Sequence, residues 1–255
     1  MRWRKLHLLL ELKMSTKFVN VIQDLFNMPY YENYAARSGA VHNVAEHEIA
    51  IEDVLKSHGY NRAQGEVGKR KKEVVNSGSK LTKAMDGLNR AKAVDIRNAW
   101  ISGDLTGCKL KDGEYICQPC GPNNSPDFLV RCDRKVFAIE AKSSKAYSPT
   151  YNSGFPKDKY IYVFSNEKLD RTVVYMGSDV NGGAEAKVIV EQYLSKMNVL
   201  REELNRQLKN QNMATGLDYY VRDMWNHKKG KEITNYFNEP RRTQWFQGVK
   251  EFINE

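Results

Sequence analysis

The chain has 255 residues, 41% of them hydrophobic, enough to bury the core of one large domain or two small ones. Lys and Arg outnumber Asp and Glu by 40 to 31, for a net charge of +9 and a pI near 9.2. That balance favours a polyanionic partner, such as nucleic acid or an acidic membrane surface. No stretch approaches the roughly eighteen uninterrupted apolar residues of a membrane span, so no membrane-embedded segment is expected.

The opening "MRWRKLHLLLELKMSTKF" has a basic head and a short leucine run. Glu11 and Lys13 interrupt that run and no small-residue cleavage site follows, which argues against a signal peptide and for a cytoplasmic protein. Residues 1–13 read as an N-terminal extension or upstream start, and 14–255 as a single domain. Phe18, Val21, Ile22, Leu25 and Phe26 recur at helical spacing. A second helix is predicted from about His42 to Ser57, with Gly59 in the C-cap region. On it Val44, Ile51 and Leu55 form an apolar stripe from which Glu48 projects, with Glu52 at the edge and Glu46 and Asp53 pointing away. Glu48 is either a boundary residue reaching water or a carboxylate aimed at a polar site.

Residues 64–83, polar, basic and punctuated by Gly and Ser, read as a surface loop or an arm for a polyanion. A short helix is predicted over Ala91–Trp100. Cys108, Cys117, Cys120 and Cys132 follow within one short region. A chain this large with no secretion signal does not suggest disulfides. The four thiolates are either a structural zinc site with Cys117-Gln-Pro-Cys120 as its knuckle, or ordinary cysteines, with Cys132 a small buried hydrophobe.

From Glu114 to Gly177 the pattern is of strands: "EYICQP", "DFLVRCD", "KVFAIEAK", "KYIYVFS" and "TVVYMG". Asp133-Arg134 is short enough to turn a hairpin. A long helix is then predicted over about 184–209, its stripe of Val190, Tyr193, Leu194, Met197, Leu200, Leu204 and Leu208 suited to packing on the sheet or to a dimer seam. The tail interleaves Tyr, Trp and Phe with Lys, Arg, Asn and Gln, a composition that suits either phosphate contact or an amphipathic lobe.

Strand alternation places Glu140 and Lys142 on one face at the end of their strand. Antiparallel pairing brings Asp127, at the start of the preceding strand, beside them. Two carboxylates in contact repel unless a divalent cation lies between them, and Mg²⁺ is suited to one or two carboxylates completed by water and phosphate oxygens. The alternative is a surface hairpin in which Asp127 caps a turn and Glu140 and Lys142 form a solvated pair.

Pro126-Asp127 followed by Glu140-Ala141-Lys142 resembles the PD-(D/E)xK nuclease superfamily, and within it the type II restriction endonucleases. The resemblance implies an α/β fold: a mixed central β-sheet flanked by helices, a restriction-endonuclease-like core over about 42–177 and a helical, basic elaboration for DNA binding or dimerisation over about 184–255. It implies that Asp127 and Glu140 bind catalytic Mg²⁺ with the carbonyl of Ala141, and that Lys142 orients or activates the attacking water and stabilises charge developing on phosphorus. Many members also carry a glutamate on an early helix, for which Glu48 is the best match and Glu52 the second. Ser143, Ser144, Lys145 and Asn152 are candidate DNA contacts. The expected partners are double-stranded DNA, a second copy of the chain and, functionally, a DNA methyltransferase. The rivals are a structure-specific repair or junction-resolving nuclease, a non-catalytic basic DNA-binding protein and a zinc-stapled interaction module.

Overall fold

The computed structural model describes residues 16–31, 46–63, 90–108, 110–120, 124–210, 216–221, 223–228 and 234–255. The predicted basic arm at 64–83 and the start of the second helix before Glu46 lie outside them.

Among the described residues five helices and six strands follow one another as α1 (16–27), α2 (Glu46–Ser57), β1 (Asn61–Arg62), α3 (Arg90–Ile101), β2 (Glu114–Cys117), β3 (Phe128–Cys132), β4 (Lys135–Ser144), β5 (Tyr160–Asn166), β6 (Arg171–Met176), α4 (Gly183–Asn210) and α5 (Glu239–Asn254). The strands form one mixed sheet in sequence order. β1 runs parallel to β2, β2 to β4 form an antiparallel meander, β5 is parallel to β4, and β6 returns antiparallel to β5. The two-residue Asp133-Arg134 turn closes the β3–β4 hairpin as the sequence suggests, with Asp133 at a φ of 55°.

Because strand side chains alternate, the sheet has two apolar faces. Phe128, Val130, Phe137, Ile139, Ile161 and Val163 turn to one face, which we call face one, and are covered by α1, α2 and α5 through Phe18, Ile22, Ile51, Leu55, Phe246 and Val249. Leu129, Ala138, Tyr160, Tyr162 and Tyr175 turn to face two, under Trp100 of α3 and Tyr151, Tyr236 and Trp245. Each fully buried apolar side chain of this kind contributes about 1.5–3 kcal/mol. α2 ends as its sequence suggests: Gly59, at φ 72°, donates to Lys56 O at 2.8 Å, and Tyr60 donates to Leu55 O at 3.0 Å. Those paired bonds satisfy the last carbonyls and bury Tyr60 over Leu55.

For two segments the structure removes one of the alternatives that the sequence left open. The stripe of α4 does not pack on the sheet, because both faces are already covered and no residue of the helix is buried. Much of the aromatic tail is core: Tyr236, Phe237, Trp245 and Phe246 are buried, and Arg242 spends its guanidinium on the carbonyls of Thr172 and Phe26 while lying over the Phe26 ring.

The parallel β4–β5 pair needs a crossover, supplied by residues 145–159, which descend face two without a helix. Its lower end rests against Gly177, where an added Cβ would lie 1.9 Å from the Lys157 carbonyl oxygen. Gly177→Ala should therefore cost about 3 kcal/mol as the backbone is forced apart, seen as a lower urea midpoint with an unchanged slope.

Candidate active site

The β3–β4 ladder ends at the pair Phe128 and Ile139, while β4 runs on to Ser144. Asp127 occupies the edge thus left open, its Oδ2 accepting the Ala141 N–H at 2.7 Å. By alternation Asp127, Glu140 and Lys142 all lie on face two, with Leu129 and Ala138. Lys142 Nζ donates to Glu140 Oε1 at 2.6 Å and to Asn152 Oδ1 at 3.3 Å, and Ser153 Oγ donates to the same Glu140 oxygen at 3.3 Å. The crossover thus holds both partners of the ion pair. The pair is buried, with side-chain exposures of 9% for Lys142 and 3% for Glu140, which rules out the solvated surface hairpin.

Glu48 enters from the first turn of α2, where the helix N-terminus favours a carboxylate. Gln118 ties it to the strands by donating its side-chain amide to Glu48 Oε2 at 3.2 Å and its backbone N–H to Asp127 O at 2.6 Å. Burial holds the Asp127 carboxyl well above its ordinary range, Glu140 and Glu48 push it further, and Lys142 and the Ala141 N–H offset only part of this. Burial lifts Glu48 to about 7 against the Gln118 bond, with Glu140 adding to the rise. Beside it His47 is wholly buried, and neither ring nitrogen has a hydrogen-bond partner among the described residues. Burial, with the Lys142 charge, lowers it to about 3, so it is a neutral imidazole at neutral pH.

These residues suit a hard divalent cation. Glu140 and Glu48 raise the proton affinity of Asp127, Glu140 raises that of Glu48, and the buried Glu140 Oε2 has no hydrogen-bond partner among the described residues. Among the described residues no group of three or more His, Cys, Asp and Glu side chains is placed to hold a metal ion, so an ion at these carboxylates would have to complete its shell with oxygens from outside these side chains. Strand geometry turns the Ala141 carbonyl to the same edge as its N–H, toward Asp127.

Other candidates are employed elsewhere. Glu52 accepts from Tyr115 Oη at 2.8 Å and pairs with Lys56 at 2.9 Å, so it serves α2 and β2 and not this cluster. Ser143 pairs with Ser165 in the ladder, Ser144 Oγ accepts the Ala146 N–H in the turn after β4, and exposed Lys145 pairs with Glu167 at 3.2 Å. Asn152 belongs to the cluster, as a partner of Lys142. The four cysteines do not converge: Cys117 pairs with Phe128 near one end of the β2–β3 ladder and Cys132 pairs with Lys135 beyond the other, about 13 Å away at 3.3 Å per residue. That separation is incompatible with one tetrahedral zinc holding all four thiolates, and none is in a disulfide.

Sequence reasoning missed Gln118, hidden in the candidate zinc knuckle, His47, Ser153 and two neighbouring cations, buried Arg97 and half-buried Lys157. Comparison with protein-family models, curated proteins and solved structures finds no match to the chain. Among the described residues no helix is long and apolar enough to cross a membrane.

The raised Glu48 has a consequence for the metal-free protein. Its folded value of about 7 lies above the ordinary 4.5, so the folded state holds the extra proton between them. Stability is then fully present below about pH 4.5 and is lost as pH rises to about 7, by on the order of 3 kcal/mol, with Asp127 acting in the same direction. Urea midpoints measured in EDTA across that range should fall with pH, and Glu48→Gln should flatten the decline.

Proposed function

We propose that the chain is a type II restriction endonuclease with a restriction-endonuclease-like core, performing Mg²⁺-dependent, site-specific hydrolysis of double-stranded DNA. The observation that carries this is the buried Glu140–Lys142 pair on the same sheet face as Asp127, with Glu48 delivered from an early helix. A buried ion pair is a poor device for stability alone, because desolvation consumes much of its attraction. Side chains kept this way beside crowded carboxylates suit a function.

Asp127 and Glu140, with the Ala141 carbonyl, would hold the cation, and Glu48 is placed to add a further oxygen. When bound, Mg²⁺ supplies Lewis-acid polarisation of the phosphoryl group and eases deprotonation of an attacking water. The Lys142 ammonium, steered by Glu140 and Asn152, is positioned to meet a non-bridging phosphate oxygen as negative charge grows there. His47, buried and neutral within reach of the Lys142 charge, adds no competing positive charge. Water oxygen attacks phosphorus in line, the bond from phosphorus to O3′ breaks, and the ends are a 5′-phosphate and a 3′-hydroxyl. The net charge of +9 draws the duplex in.

A duplex has two strands to cut, and the described residues of one chain contain one such cluster, so the reading includes a homodimer. The surface that suits a second copy is α4, on which Ile189, Tyr193, Met197, Leu200 and Leu204 recur at helical spacing and stay exposed, Ile189 at 68% and Leu200 at 64%. Leu200→Glu should halve the sedimenting mass and turn double-strand cleavage into nicking.

The deciding experiment incubates the protein with unmethylated DNA in Mg²⁺, beside Asp127→Asn and Lys142→Met. Discrete bands in Mg²⁺, absent in EDTA and reduced at least about 100-fold in both variants while duplex binding in Ca²⁺ persists, are the expected outcome. Cleavage indifferent to both substitutions would discard the assignment.

A further inference from the structure

Along face two from Glu140, two more cations lie close together, Arg97 buried and Lys157 half-buried. Arg97, on α3, is 5% exposed and donates Nη1 to the Ser125 carbonyl at 2.5 Å, with Nε and Nη2 on the Asn98 side chain at 3.0 and 2.8 Å. Lys157, at the lower end of the crossover, donates Nζ to the same residue's Oγ at 2.6 Å and lies 5.0 Å from the Tyr160 ring centre. Ser125 stands two residues before Asp127, and Tyr160 pairs with Ala138, two residues before Glu140. The two cations and the carboxylate cluster are therefore joined through the same two strand ends.

Among the described residues no ion pair reaches Arg97 or Lys157, and their hydrogen-bond acceptors are the carbonyl and hydroxyl of Ser125, the Asn98 side chain and the Cys120 sulfur. Burial and the Arg97 charge bring Lys157 down to about 8, and the Glu140 charge offsets only part of that fall. Two like charges held together out of water are costly unless an anion joins them. The Tyr160 hydroxyl, buried on the same face beside Ser125, is a further donor. A guanidinium fork, an ammonium and a phenol are the groups that recognise a tetrahedral oxyanion.

We propose that Arg97, Lys157 and Tyr160 form a phosphate subsite, which takes a second backbone phosphate of the nucleic acid and fixes its register over Asp127, Glu140 and Lys142. The identity of the ligand as a polynucleotide rests on the nuclease reading; the affinity for phosphate does not. Gripping one phosphate beside the reacting one converts backbone binding into alignment.

The test uses the full chain with Lys157→Gln, Lys157→Arg, and Lys209→Gln as a control that loses the same charge at an exposed position on α4. Inorganic phosphate at ten times its dissociation constant should raise the melting temperature of the wild type, Lys157→Arg and Lys209→Gln by about 3 °C, and leave Lys157→Gln unmoved. For a duplex oligonucleotide in Ca²⁺, Lys157→Gln should weaken binding about tenfold and lower the slope of log K against log salt by about one relative to Lys209→Gln. An equal phosphate response in Lys157→Gln and wild type overturns the subsite. Phosphate binding lost in Lys157→Gln with duplex affinity and slope equal to Lys209→Gln overturns the polynucleotide as its ligand. Were Mg²⁺-dependent cleavage absent while both Lys157 effects appeared, the subsite would stand and the nuclease reading alone would fall.

Discussion

The parallel pairing of β4 and β5 is the constraint from which the site follows. Neighbouring parallel strands cannot be joined by a tight turn, so after Ser144 the chain must travel back some six residues' worth of strand, about 20 Å, before Tyr160 can pair with Ala138. The return path runs down face two and meets β4 side chains in order, Asn152 at Lys142 and then Ser153 at Glu140, before Lys157 reaches Ser125 ahead of β3. Tyr151 pins this path by its backbone pairing with Trp225 and by its hydroxyl, which bonds those of Tyr175 at 2.8 Å and Tyr236 at 2.9 Å. A connection required by topology thus becomes the wall that takes the charged residues out of water.

A second constraint is the unequal length of the meander. Had β3 begun two residues earlier, its backbone would have paired with Ala141 and carried the ladder through the site. Because its pairing begins at Phe128, the Ala141 N–H must find another acceptor, and the Asp127 carboxylate supplies it. The Asp127 backbone carbonyl turns instead to Gln118, whose side chain reaches Glu48. One unpaired peptide group therefore links β2, β3, β4 and α2 around a single cluster.

What the sequence disclosed, and what it withheld, follows from the range of each physical signal. Strand parity is local, so Asp127, Glu140 and Lys142 could be placed on one face from alternation and a two-residue turn. Helical periodicity is local too, and it separated the projecting Glu48 from the edge position of Glu52, which the fold uses to hold Tyr115 and Lys56. Arg97, Lys157 and Gln118 meet only through tertiary structure, across sequence separations of 28, 32 and 70 residues from their partners. Nothing in their neighbours' chemistry announces them. The cysteines show the opposite error, since closeness in sequence suggested a cluster that an extended ladder then pulled apart. For α4 the amphipathic pattern was real and its partner was assumed, although the sheet had no free face to offer.

The charge pattern on face two runs against what stability alone would select. Replacing a buried ion pair with apolar residues of equal volume is often neutral or stabilising, so Glu140–Lys142 adds little to the fold for its desolvation cost. Crowding Asp127 and Glu48 beside Glu140 raises that cost, as do Arg97 and Lys157 gathered around Ser125 with no anion between them. Two incomplete half-sites stand side by side, one short of positive charge and one short of negative. A divalent cation would complete the first and a phosphate oxygen the second, and a phosphodiester backbone lying across face two with its metal would bring both to neutrality in the same event. On the proposed nuclease reading, binding such a substrate would offset the cost of folding these charges inward, and part of that cost would return as affinity for a ligand whose charges match them.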